Sequence, residues 1–161
     1  MHSSGDDVAR SPVIAVRLAL PSDTPSLHAI LKESPEAVVW SEKSLGQSLS
    51  QGNGWVAEAE GGIAGFLVGR VAADEFEILN LAVKTALRRK GIATRLVSRA
   101  TEDARAVGAR SAFLEVRASN AGAIGFYSRM RFLQCGRRPN YYSGPVEDAV
   151  MLVLHIDKNT S

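Results

Sequence analysis

The 161-residue sequence predicts one α/β domain with a mixed, mostly antiparallel sheet flanked by helices. Short β-branched runs alternate with longer amphipathic runs, and three central runs are separated only by turns. One amphipathic helix lies between two apolar strands, so these two strands should be parallel. We place the domain at residues 12–157, between tails at residues 1–11 and 158–161.

The first half of the chain predicts one strand, two helices and a three-stranded meander. The predicted strands are residues 13–19, 55–60, 63–71 and 76–83. The first predicted helix follows a turn and cap at residues 21–23 and runs to about residue 33, and the second begins at residues 40–42 and ends by residue 52. Ser41 is a favourable N-cap for the second helix. Gly61 and Gly62 supply the turn of a hairpin within the meander.

The second half predicts a crossover helix, a buried strand, another helix and a final strand pair. The helices are residues 91–107 and 120–130, and the strands are residues 111–116, 131–136 and 148–156. Apolar residues of the crossover helix recur on one face, which should pack on the sheet. Residues 137–147 are predicted to form the loop that joins the last two strands.

Composition excludes several classes of protein. The formal net charge of +2 is too small to indicate nucleic-acid binding, and no apolar run is long enough to span a membrane. Cys135 is the single cysteine, so no internal disulfide forms, and we expect it to be buried. No Cys/His cluster has zinc spacing, so we predict no metal. The polar, acidic N-terminal segment is unlike a secretory signal, and we expect a cytoplasmic protein.

A basic loop follows the strand at residues 76–83, and a helix then begins at Gly91. Unpaired N–H groups at a helix N-terminus favour an anion, and a glycine lets the backbone approach it closely. With Arg88, Arg89 and Lys90 alongside, the pattern fits a diphosphate. It is neither a P-loop nor a GxGxxG fingerprint. On the residues alone, a helix start beside surface arginines remains an equal alternative.

The run Arg88-x-x-Gly91-x-Ala93 after a strand resembles the coenzyme A motif of the GNAT acetyltransferase superfamily. Three further segments are similar to RimI-type ribosomal-protein-alanine N-acetyltransferases: LEVRASN with the following Phe-Tyr pair, WSEK, and NYY with the following EDA. The resemblance covers roughly residues 14–156 and implies a GNAT fold with its parallel strand pair at the coenzyme A site.

The sequence departs from the resembled pattern at three places. Pro139 interrupts an Arg-Arg-Asn-Tyr-Tyr run, and Ala93 replaces the second glycine of the loop. Gly122 and Gly125 lie in the helix before Tyr127, where stronger helix formers are expected. The first two departures concern acceptor recognition and phosphate fit, and the glycines concern the rigidity of the helix.

The resemblance implies acetyl-CoA as co-substrate and a protein N-terminus as acceptor, most plausibly that of an alanine-initiated ribosomal protein. The implied cofactor contacts are Leu81, Ala82, Val83, Arg88, Arg89, Lys90, Gly91, Ile92, Ala93, Thr94 and Asn120. The implied acceptor contacts are Trp40, Ser41, Glu42, Tyr141 and Tyr142. On its residues alone, Asn120 could also cap the helix that it begins.

Acetyl transfer needs a neutral amine, so a general base should help. Glu115 lies within an apolar strand, where a carboxylate needs a partner or water. An ion pair with Arg117 or another basic residue is the structural alternative. The resemblance implies Glu115 as the base, with Glu77 in reserve. It also implies Tyr127 as the acid for the leaving thiolate, although a tyrosine among apolar helix positions could simply pack in the core.

Three functions remain open at this stage. The first is N-terminal protein acetylation, and the second is acetylation of a small amine such as a polyamine. The third is a coenzyme A-sensing or ribosome-associated module without catalysis. A polycationic substrate would favour several carboxylates, whereas the predicted acceptor segments offer mainly Glu42, Glu147 and Asp148. The presence of both Glu115 and Tyr127 argues against a non-catalytic module.

Overall fold

The computed structural model describes residues 13–156, so the predicted tails and the domain limits at residues 12 and 157 lie outside the described residues. The predicted order of elements is confirmed. The elements are β1 Ala15–Leu18, α1 Thr24–Lys32, α2 Glu42–Ser50, β2 Gly54–Ala59, β3 Gly62–Ala72, β4 Glu75–Val83, α3 Ile92–Ala106, β5 Ser111–Arg117, α4 Ala121–Arg129, β6 Leu133–Tyr142 and β7 Glu147–His155.

All the strands form one sheet in the order β1-β2-β3-β4-β5-β7-β6. Every neighbouring pair is antiparallel except β4 and β5, which are parallel because α3 crosses from the end of one to the start of the other. The predicted mixed sheet with one parallel pair is therefore confirmed.

Helices cover both faces of the sheet. On one face, α1 and α2 bury Leu27, Ile30 and Leu45 against a group that includes Phe66 of β3. On the other face, α3 and α4 pack over a core that includes Phe76 of β4. Helix α2 begins where predicted, since the Ser41 hydroxyl accepts the N–H of Ser44 at 3.1 Å. Despite its two glycines, α4 spans Ala121–Arg129.

A β-bulge in β4 changes which side chains face which helices. Val68 of β3 pairs with Asn80, but the next residue pairs with Ile78, so Leu79 is an extra residue. As a result Ile78 before the bulge and Val83 after it pack into the same core, although their spacing would put them on opposite faces of a regular strand. Asn80 thereby comes to the face covered by α1 and α2.

Two predictions about the last strand pair are wrong. Residues 137–142 belong to β6 rather than to a loop, because they pair with β7 from Arg137↔Val150 to Tyr142↔Glu147. Cys135 is exposed, not buried. Both errors have one cause: β6 is an edge strand with a solvated surface, so it lacks the apolar alternation that identifies a strand from its sequence.

Among residues 13–156, no helix is long and apolar enough to cross a membrane. The same part of the chain contains no group of three or more His, Cys, Asp and Glu residues arranged to hold a metal ion.

Candidate active site

The parallel strands β4 and β5 pair over only three positions, from Glu75↔Ser111 to Glu77↔Phe113. Beyond this point β4 continues along β3 as far as Val83, and β5 continues along β7 as far as Arg117. The two strands therefore diverge and open a cleft of about 870 Å³ at their carboxyl ends. Because β5 is not paired with β4 beyond Glu77, the β4 backbone can offer hydrogen-bonding groups to a molecule in the cleft.

The residues predicted to contact the cofactor are brought together around this cleft. All of them line it except Lys90, whose side chain is exposed outside the lining. Glu115 and Tyr127 line it as well. The arrangement thus places an amide-rich strand edge, a helix start, a carboxylate and a phenol around one open space.

Gly91 is the N-cap of helix α3; it has a φ of +84°, and no side chain caps the helix. The first turn closes with the N–H of Arg95 donating to the Gly91 carbonyl at 3.1 Å, so the preceding amides have no intrahelical acceptor. A Cβ at Gly91 would meet nothing within 4 Å. The glycine is therefore needed for its left-handed backbone, and its close approach to a bound anion stays a prediction. The exposed amides suit an anion.

Arg88 holds the neighbouring loop as well as lining the cleft. Its guanidinium lies 2.6 Å from the Glu36 carboxylate and donates to the Ser34 hydroxyl and the Val83 carbonyl, both at 3.3 Å. Arg88 therefore fixes residues 36–38, which form one wall of the cleft. Arg89 is exposed beside it, with a φ of +63°.

Glu115 lies on the face of β5 opposite Leu114 and Val116, which pack with α3 and α4. Its side chain is 13% exposed, and one carboxylate oxygen lies 3.3 Å from Nε of Arg138. The partner expected as an alternative, Arg117, instead binds Glu147 at 3.2 Å. Glu115 thus has a basic partner and still borders the cleft, which suits a base that must meet an incoming amine.

Glu77, the reserve candidate for the base, lies where β4 and β5 are still paired. One of its oxygens is 3.4 Å from Nη2 of Arg70. Unlike Glu115, it does not line the cleft. Its position therefore favours Glu115 for any chemistry that takes place between the diverging strands.

Tyr127 packs in the core, which is one of the two roles that the sequence left open. The residue is 4% exposed, and its ring packs edge-on against Phe126 and Phe132 at centroid distances of 4.9 and 5.1 Å. Burial raises the pKa of Tyr127 far above its usual value. Tyr127 also borders the cleft. Asn120 caps α4 through its side-chain oxygen, which accepts the N–H of Ala123 at 3.1 Å, and it lines the cleft too.

The predicted acceptor residues separate into two groups. Tyr141 and Tyr142 contact each other edge-on at 5.0 Å, beside Glu115. The pKa of Tyr141 is raised by the Glu115 charge and by hydrogen bonding to it. By contrast, Trp40 packs against the α1–α2 core and Ser41 caps α2. None of the five predicted acceptor residues lines the cleft, and residues 36–38 take the place expected for Trp40, Ser41 and Glu42.

Asn80 is a cleft residue that sequence reasoning missed. It is 4% exposed, and its side-chain N–H donates to the Val38 carbonyl at 2.9 Å. Its side-chain oxygen is buried without a partner among residues 13–156. The signal was present in the sequence, since Asn80 is the polar interruption of the apolar run ILNLAV. A buried orphan acceptor at this position fits a cleft that receives a polar ligand.

Comparison with known proteins agrees with this geometry. The acetyltransferase (GNAT) family model matches residues 23–132. The ribosomal protein bS18-alanine N-acetyltransferase of Escherichia coli K12 is 31% identical in a 140-residue alignment that covers 84% of this chain and 93% of the relative.

Two solved structures are similar over almost the whole chain. The crystal structure of the Escherichia coli ribosomal-protein-S18-alanine N-acetyltransferase has a TM-score of 0.79 at 28% identity and covers 92% of this chain and 99% of its own. Arabidopsis thaliana NAA60 in complex with a bisubstrate analogue has a TM-score of 0.78 at 25% identity, with 92% and 100% covered.

Proposed function

Since the chain belongs to the acetyltransferase (GNAT) family, we propose that it acetylates the α-amine of a protein chain that begins with alanine, such as a ribosomal protein. The protein is an N-acetyltransferase that uses acetyl-CoA as co-substrate. The choice of acceptor is supported by the relative that acts on the alanine of ribosomal protein bS18, and it is carried by the charges around the acceptor end of the cleft.

The carboxylates of Glu147 and Asp148 near that end already bind partners within the protein. Glu147 accepts the N–H of Ser119 at 2.5 Å and binds Arg117, and these contacts lower the pKa of Glu147. Asp148 accepts the N–H of Asn140 and binds Arg137. A polyamine would need free carboxylates, and this surface instead presents arginines. This surface therefore suits the single α-amine of an extended protein chain better than it suits a polyamine.

The cleft fits acetyl-CoA in three respects. The amides at the start of α3 would hold the diphosphate, and the free edge of β4 at residues 81–83 would bond the pantetheine amides and polarise the thioester carbonyl. Asn120 would add its side-chain amide N–H groups, since its oxygen caps α4. Acetyl-CoA supplies the acyl group as a thioester.

In the proposed reaction the amine nitrogen attacks the acetyl carbonyl while Glu115 accepts the amine proton. The new C–N bond forms, the C–S bond breaks, and the Tyr127 hydroxyl donates its hydrogen toward the leaving sulfur. A model thiol has a pKa near 8.5, so with its raised pKa Tyr127 stabilises the thiolate mainly through a hydrogen bond.

The test is a comparison of acceptors at pH 7. A short peptide that begins with the alanine of a small-subunit ribosomal protein should gain one acetyl group on its first residue, located by mass spectrometry. The same peptide with a blocked N-terminus and a free lysine should react poorly. A lysine pKa roughly 2.5 units higher costs about 3.5 kcal/mol in amine availability. If spermidine or free lysine exceeds every peptide in kcat/KM, the acceptor is a small amine instead.

A further inference from the structure

A second strand irregularity lies beside Glu115, in β6. Arg138 pairs with Ala149 and Tyr142 pairs with Glu147, so three residues of β6 lie opposite Asp148 alone. These residues are Pro139, Asn140 and Tyr141, which we call the β6 bulge. Asn140 has a φ of +52°, the left-handed conformation that asparagine tolerates better than most residues.

Asp148 holds the β6 bulge in place. One of its carboxylate oxygens accepts the N–H of Asn140 at 2.9 Å, and the other lies 2.7 Å from Nε of Arg137. Together these contacts lower the pKa of Asp148, with the bond from Asn140 contributing most. Asp148 is therefore ionised at neutral pH, and each of its two carboxylate oxygens binds a residue in or near the bulge.

The β6 bulge brings Arg138 and Tyr141 to one carboxylate. Residues three apart on a regular strand point to opposite faces of the sheet. Here the Arg138 guanidinium lies 3.3 Å from Glu115 and also stacks on the Tyr141 ring, 5.4 Å from its centroid. The Tyr141 hydroxyl faces the same carboxylate. Only the extra residues of the bulge allow both side chains to reach Glu115.

We propose that Arg138 and Tyr141 are positioning residues that hold the Glu115 carboxylate in place as the base, and that Asp148 positions them through the β6 bulge. The inference rests on the proposed role of Glu115 as the base. The Arg138 charge stabilises the carboxylate and repels a protonated amine, so the acceptor binds in its reactive, neutral form. Tyr141 orients the carboxylate, and its ring fixes Arg138.

Other charged groups face the same region and bear on any pH dependence. They are Glu77 on β4, Arg117 on β5, Tyr142 on β6 and Glu147 on β7. Arg117 and Glu147 neutralise each other at 3.2 Å, and Glu77 has Arg70 at 3.4 Å. Arg138 is thus the cation that lies in direct contact with Glu115 among the described residues.

The experiment measures kcat/KM for the acceptor against pH at saturating acetyl-CoA. Arg138→Gln should lower it roughly tenfold at pH 7 and move the acid limb of the profile upward, a modest effect because Arg138 is half exposed. Arg138→Lys keeps the positive charge, so the acid limb of its pH profile should lie where it does in wild type. Arg105→Gln is the matched control, since Arg105 forms an exposed ion pair with Glu102 on α3.

Asp148→Ala should move the acid limb in the same direction as Arg138→Gln. In a protein that already carries Arg138→Gln and Tyr141→Phe it should have no further effect on that limb, because the groups through which it acts are gone. Additive shifts would show that Asp148 acts by another route. Asp148→Asn keeps the shape of the side chain and loses its charge, so it should move the limb in the same direction by less, and it keeps the test usable if Asp148→Ala does not fold.

An unchanged profile in active Arg138→Gln overturns the inference and leaves Glu115 as the base. A fully active Glu115→Gln variant overturns the base assignment itself, and the inference with it. If wild type accepts only a small amine, the proposed acceptor is wrong. The same profile measured with that amine then still tests Arg138.

Discussion

The two ends of the cleft are built in different ways. The proposed cofactor end is residues 78–94 with Asn120 added, and its functional groups are mainly backbone amides placed by a bulge, a strand end and a helix start. The proposed acceptor end is Glu115 of β5 together with side chains of β6 and β7 outside the cleft lining, which Arg138, Tyr141 and Asp148 connect to it. The first end depends on local backbone conformation, and the second depends on strand register.

This difference predicts where each end is vulnerable. A backbone site tolerates side-chain changes that leave the local φ and ψ angles intact, and it fails when those angles are no longer accessible. A side-chain site fails when one charged or hydroxyl group is lost, even though the fold persists. Substitutions at the acceptor end should therefore act on turnover, and those at the cofactor end on affinity for coenzyme A.

The largest expected effect is that of Glu115→Gln at the acceptor end. Turnover should fall by roughly 10²–10⁴-fold, the usual contribution of a positioned base. The fold and the affinity for coenzyme A should be retained, because glutamine preserves the shape of the side chain. The deficit should shrink as pH rises, since more of the acceptor amine is then neutral. Steady-state kinetics from pH 6 to 9 and calorimetric titration with coenzyme A check these outcomes.

Glu77→Gln is the matched control for this prediction. Glu77 lies on the neighbouring strand and also has an arginine partner, but it is outside the cleft lining. Its loss should change turnover little. An inactive Glu77→Gln variant beside an active Glu115→Gln variant would move the base to β4.

The same contrast explains which parts of the molecule could be predicted from the sequence. The order of the elements, the parallel strand pair and the helix start at Gly91 follow from local patterns of apolar residues, caps and turns. The β6 bulge does not, because Arg137 to Tyr142 form a polar edge strand whose pairing depends on β7. The pairing of Glu115 with Arg138 rather than Arg117 depends on that register.

Tyr127→Phe removes only the hydroxyl of the proposed acid and should have the second-largest effect on turnover. Turnover should fall by roughly 10²-fold, the lower end of the range for a positioned acid, because the raised pKa of Tyr127 makes it a reluctant donor. Affinity for coenzyme A should not change, and the retained ring should preserve the edge-on packing with Phe132. Wild-type turnover in this variant would leave Tyr127 with a packing role alone.

The pH dependence of stability gives this variant a second readout. Burial holds the proton on Tyr127 in the folded state at pH values where an unfolded tyrosine has lost it. The contribution of Tyr127 to stability is therefore complete below about pH 10 and is lost as pH rises further. Denaturant unfolding should show a shallower loss above about pH 10 in Tyr127→Phe than in wild type. Equal slopes would mean that the hydroxyl ionises freely in the folded protein.

Gly91→Val should have the smallest effect on turnover, and it tests the backbone amides at the start of α3 separately from the catalytic side chains. Valine is strongly disfavoured at a φ of +84°, and the left-handed conformation costs roughly 1–2 kcal/mol even for an ordinary residue. The start of α3 should rearrange, and affinity for coenzyme A should fall about tenfold, which corresponds to roughly 1.4 kcal/mol. Turnover at saturating acetyl-CoA should change much less, because Glu115 and Tyr127 remain in place.

Gly108→Val provides the control within the same part of the chain. Gly108 follows the other end of α3, has a φ of +107°, and a Cβ there would also meet nothing within 4 Å. The strain should therefore be similar, and both variants should lose comparable thermal stability. Only Gly91→Val should weaken calorimetric binding of coenzyme A, because only Gly91 begins the helix whose amides face the cleft. Equal weakening in both variants would assign the effect to general destabilisation of α3, and unchanged affinity in Gly91→Val would remove this loop from the coenzyme A site.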